Sequence, residues 1–160
     1  MDQLQQVPLT LCLAKAGLAA GTTNTLSTTA ALTYGIKGKA YSKAAITNGA
    51  TPTIDAASGA AFVPIAANQG TVIVLALDAN GNLNAAQGQV QALDVAGNFI
   101  LAPQLPDVPD TVCPIGYIVL KAGATLAGSW QFGTGNLSGV AGMSYAFQDL
   151  IGMPARPQVA

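Results

Sequence analysis

The run Thr71–Leu77 (TVIVLAL) limits the folds open to this chain more than any other stretch. It is β-branched and aliphatic, too short for a typical helix, and it stops at Asp78-Ala79-Asn80-Gly81-Asn82, a cluster of turn-forming residues. The pattern predicts a strand running into a tight turn. With no polar alternation after Thr71, that strand is stable only when both faces of its sheet are covered. A second turn of the same chemistry, Asp94-Val95-Ala96-Gly97-Asn98, separates Leu83–Leu93 from Phe99-Ile100-Leu101. Three strands joined by short turns predict a central antiparallel meander, with Gly81 and Gly97 at positive φ.

The flanking segments carry further strand signals. Val7, Leu9, Leu11 and Leu13 alternate with Pro8, Thr10 and Cys12, which predicts a half-buried strand, Pro8 confining it to an edge or a strand start. Ala14–Thr29 sustains neither period and reads as a loop. Leu32–Ile36 and Lys39–Lys43 predict a hairpin turning at Lys37-Gly38. Ala61–Ile65, Ile115–Lys121, Ser129–Phe132 and Met143–Phe147 add short strands, and 46–59 reads as a connection. Prolines 103, 106 and 109 predict an extended, polyproline-like crossing that excludes helix. The expected fold class is all-β, an antiparallel β-sandwich or jelly roll, in a single domain: an amino-terminal strand and arm (1–29), a body (30–148) and a carboxy-terminal arm (149–160).

Composition narrows the functions. The 160 residues are 51% hydrophobic but only 8% charged, so the surface is largely Thr, Ser, Asn, Gln, Gly and Ala, which favours association. Six cations against seven acids, a net charge of −1, cannot neutralise a run of phosphates, which argues against a nucleic-acid partner. No stretch reaches the length of a membrane-spanning helix. Leu9–Ala20 is apolar, but Asp2 precedes it without a basic region, so it reads as structural rather than as a signal peptide. Cys12 and Cys113 match neither a CxxC redox motif nor a zinc site, and two reduced core thiols are expected.

Chemistry-bearing motifs are sparse. Histidine and glutamate are absent, which removes the commonest general base and most carboxylate pairs. Ser58-Gly59 lacks the glycine of a nucleophile elbow, and Gly133-Thr134-Gly135 with Gly139 misses the dinucleotide spacing by one residue. The acids at Asp78, Asp94 and Asp55 could suggest calcium, yet each turn supplies one carboxylate, so turn building is the better reading. Trp130, Phe132 and Tyr117 could stack on a sugar but read as core. Lys37, Lys39 and Lys43 could meet an acidic partner but read as protection of a sheet edge. No catalytic residue, cofactor or metal site is assigned.

One likeness extends over 30–160. It is carried by Leu32-Thr33-Tyr34-Gly35-Ile36-Lys37-Gly38-Lys39-Ala40-Tyr41, by Val112-Cys113-Pro114, and by the ending Leu150–Ala160 with Pro154 and Arg156-Pro157-Gln158. In texture and short phrases the chain resembles the small Ala/Thr/Gly-rich virion proteins of tailed bacteriophages, a group that includes capsid decoration (cement) proteins. The resemblance implies a structural, non-enzymatic protein on the capsid exterior, bound between major capsid protein subunits through its arms. By analogy with spikes on quasi-threefold positions it implies a homo-oligomer, a trimer first and a dimer next. A tail, baseplate or fibre component shares the same composition. A third reading is a tail-associated glycan hydrolase using Asp107 and Asp110, the one close pair of acids; the alternative for that pair is a proline-flanked turn.

Overall fold

The computed structural model describes residues 9–159, and the chain is all-β. Its strands are β1 (Leu11–Cys12), β2 (Leu18–Ala20), β3 (Thr25–Thr28), β4 (Leu32–Ile36), β5 (Lys39–Lys43), β6 (Gly49–Ala50), β7 (Ile65–Ala66), β8 (Gln69–Asp78), β9 (Leu83–Gln87), β10 (Gln91–Ala92), β11 (Val112–Ala122), β12 (Ser129–Trp130) and β13 (Met143–Asp149). The largest sheet runs β10-β8-β11-β13, with β9 pairing β8 beside β10. Smaller antiparallel sheets, β1-β4-β5, β2-β3-β6 and β12-β7, supply the other side of the sandwich.

β8 is the buried strand that its composition predicts, and the register shows how both faces are covered. Ile73, Leu75 and Leu77 face the main core with Ile118 and Leu120 of β11, Leu26 of β3, and Leu32 and Tyr34 of β4. Val72 and Val74 face the opposite way with Tyr117 and Val119. Over this second face lie Leu105 and Val108 of the proline-rich crossing, together with Phe99 and Val159. The crossing is extended and free of helix, and its apolar residues close the outer side of a sheet that would otherwise expose valines.

β11 carries a register shift between Pro114 and Gly116. Side chains alternate faces along a strand, so the extra residue keeps Cys113 and Ile115 on the same face as Ile118 and Leu120. On the β13 side the register continues unbroken, with the Ile115 carbonyl accepting from Leu150 N at 3.0 Å. Pro114 is tolerated because β13 pairs only with Gly116–Ala122, leaving its missing N–H outside that ladder.

Two expectations are corrected. The third strand of the meander does not form: Leu83–Leu93 pairs with β8 as β9 and β10, Phe99 makes only an isolated bridge to Leu93, and the other side of β8 is taken by β11. Ala14–Thr29 is not a loop: it contains the β2–β3 hairpin, extended by β6. In the first strand the buried side is that of Cys12, which is fully enclosed while Leu9 and Leu13 are each 64% exposed. Burial there follows β4, where Cys12 lies opposite buried Tyr34. Val7 and Pro8 lie outside the described residues.

Candidate functional site

The acidic turns are built alike. Asp78 Oδ1 accepts from the amides of Asn80 and Asn82, both at 2.8 Å, and Oδ2 accepts from Asn82 Nδ2 at 2.9 Å. Asp94 repeats the pattern with Ala96 N at 2.9 Å, Asn98 N at 2.8 Å and Asn98 Nδ2 at 3.3 Å. Asp55 is buried and accepts from Ala57 N, Gln87 N and Ser58 Oγ. Desolvation raises the Asp78 carboxyl, but donors from Asn82, Asn80 and Gly81 outweigh it and hold it below its ordinary range. Asp94 is lowered chiefly by the Asn98 amide. These carboxylates shape their own turns. Among the described residues no three His, Cys, Asp or Glu side chains gather as a metal site would require.

The two aspartates of the crossing differ in their contacts. Asp110 Oδ2 lies 2.7 Å from Lys37 Nζ in an exposed ion pair that ties the crossing to the β4–β5 turn. Asp107 is also exposed, and both line an open depression of about 390 Å³ with Thr10, Val108 and Met153. The lysines likewise separate: Lys39 Nζ sits over the Tyr41 ring at 5.6 Å, and the Lys43 side chain runs alongside Gly81.

Trp130 and Phe132 are core residues; Phe132 packs edge-to-face on Phe62 with centroids 5.0 Å apart, and Trp130 lies tilted against Phe132 at 6.3 Å. Trp130 Nε1 donates to Asn136 O at 2.9 Å. Tyr117 belongs to the other face of the sheet, so the three aromatic rings form no common platform. Cys12 and Cys113 are free, buried thiols. Burial, reinforced by the nearby Cys12, pushes Cys113 up to about 12.

What the structure does assemble is an apolar face where the two terminal segments meet. Cys12 N donates to Ile151 O at 2.8 Å, joining β1 to the tail. On either side of this bond Leu9, Leu13, Ile151 and Met153 are exposed, at 64%, 64%, 71% and 42%. Leu13 and Ile151 line a depression of about 440 Å³ with Lys15, Phe147 and Asp149. The tail is fastened further on, where Tyr117 Oη accepts from Gln158 N at 2.7 Å. Sequence reasoning missed this face because alternation defines two sides of a strand without saying which is covered, and the deciding signal lies only in what covers Cys12. The chain matches no family model, no curated protein and no solved structure.

Proposed function

We propose that this is a virion structural protein that decorates a bacteriophage capsid, seated between major capsid protein subunits as a homo-oligomer. The observation that carries the reading is the apolar face of Leu9, Leu13, Ile151 and Met153, presented by two joined terminal segments on a chain whose residues are only 8% charged. Exposed apolar side chains on adjoining segments of a charge-poor chain, here with Lys15 and Asp149 beside Leu13 and Ile151, are the composition of a protein-binding surface. The resemblance of 30–160 to phage decoration proteins supplies the partner. The two terminal segments read as arms, 1–29 from its composition and 149–160 within the resemblance, both contribute exposed apolar side chains here.

The test uses purified particles carrying the full chain, imaged after antibody labelling, beside particles assembled with the double variant Leu9→Ser, Ile151→Ser. Labelling over the head surface, lost in the double variant while the free protein keeps its melting profile, supports the reading. Labelling confined to the tail transfers the same surface to a tail or baseplate component. Absence of label from particles, or full occupancy by the double variant, overturns it.

A further inference from the structure

The main sheet ends on one side at β13, an edge that differs in kind from β5 at the end of the β1-β4-β5 sheet. β5 presents Lys39 and Lys43 along its edge, and charge of that sort discourages strand addition. β13 (MSYAFQD) carries no lysine, proline or register shift, and its one charge, Asp149, accepts from Leu18 N at 3.0 Å.

The ladder fixes which backbone groups of β13 point outward. Leu150 N donates to Ile115 O and Gly123 N to Gly142 O; both pairs belong to the register that sets Ala146 opposite Val119. Residues 142, 144, 146, 148 and 150 therefore direct their peptide groups toward β11, and Met143, Tyr145, Phe147 and Asp149 direct theirs away. β13 is laddered only to β11, and outside that ladder the amides of Tyr145 and Phe147 make no backbone hydrogen bond among the described residues.

We infer that this edge pairs with β13 of a second copy, antiparallel about Ala146. The strand is self-complementary in that register. Tyr145 of one copy stands opposite Phe147 of the other, twice, and their outward amides and carbonyls meet as hydrogen-bonded pairs. Ala146 meets Ala146 at the axis, where opposed strands approach most closely and a small residue fits. Asp149 lies opposite Met143, so no like charges oppose. The same five-stranded sheet then continues through both copies, and the contact is isologous, closing at two. This assembly does not rest on the capsid reading, and it is twofold where the phage resemblance implies a trimer.

The experiment is sedimentation of the full-length protein over a range of concentrations, with amide hydrogen exchange read by NMR. The expected result is a monomer–dimer equilibrium in which Tyr145 and Phe147 amides gain protection with concentration, while those of Ser144, Ala146 and Gln148 are protected throughout. Ala146→Lys places two ammonium groups face to face and weakens the dimer about fivefold or more. Ala146→Glu does the same with carboxylates, and mixing the two variants restores a heterodimer. Residue 146 is exposed, so both variants keep the monomer fold, checked by their melting profiles. A protein that stays monomeric, a trimer, or a dimer indifferent to both charged variants overturns the inference.

Discussion

Leu18 lies over Gly116, in the space that a Cβ at position 116 would need, and its amide donates to Asp149 Oδ1 at 3.0 Å. The β2–β3 hairpin is thereby docked on β11 and β13 through one apolar and one polar contact. Gly116→Ala is expected to cost about 1–3 kcal/mol by overpacking. Denaturant unfolding measures the loss, and faster amide exchange in Leu18–Ala20 than in β8 locates it. Unchanged stability with the hairpin still protected would mean that Leu18 is not held by this contact.

Leu75 is fully buried between β11 and the smaller sheets. Leu75→Ala is expected to lower unfolding free energy by about 2–5 kcal/mol, the range for a large-to-small change that leaves a cavity. A measured loss under about 1 kcal/mol would place the strand nearer solvent than the register allows.

Gly81 and Gly97 have φ of 76° and 80° in equivalent Asp-x-x-Gly-Asn turns, a region that a Cβ disfavours. Alanine at either site should cost about 1–2 kcal/mol from backbone strain. Position 97 is open, whereas a Cβ at 81 would also press on the Lys43 side chain at 2.9 Å. Gly81→Ala should therefore be the more damaging of the two, and paired thermal melts decide the order.

Stability should fall at alkaline pH. The Cys113 thiol, raised from 9.0 to about 12, stays protonated in the folded chain after it ionises in the unfolded one. Between those values the unfolded state binds fewer protons, so stability declines as pH rises through that window. Cys12, Tyr34 and Tyr145 are raised too and act in the same direction. Cys113→Ala should flatten the decline, as read from denaturation midpoints at successive pH values, and iodoacetamide should label Cys113 slowly until the chain unfolds. At the acid end the signs reverse. Asp78 and Asp94 are lowered, so their contribution holds above the ordinary carboxylate range and is lost as pH falls through their folded values.

The elements legible in the sequence are those whose physics is local. Lys37-Gly38 turns a hairpin because both residues sit at positive φ, 50° and 80°, as its two-residue loop demands. Asp78 and Asp94 accept amides two and four residues ahead, so their turns are written within five residues. The unbroken apolar run of β8 required two covered faces, whatever was to cover them. Tertiary structure decided which parts did the covering. β8 takes β11, far along the chain, as its second neighbour, and the proline-rich crossing closes the far side of their sheet. Ala14–Thr29, aperiodic in sequence, is a hairpin because Leu18 finds Gly116 and Asp149 far along the chain. The first strand turns its leucines outward because the side facing the core is set by Tyr34 opposite Cys12, and the Ile151 carbonyl then joins that strand to the tail. Alternation along a strand specifies two faces; which one is buried depends on partners that only the folded chain brings across.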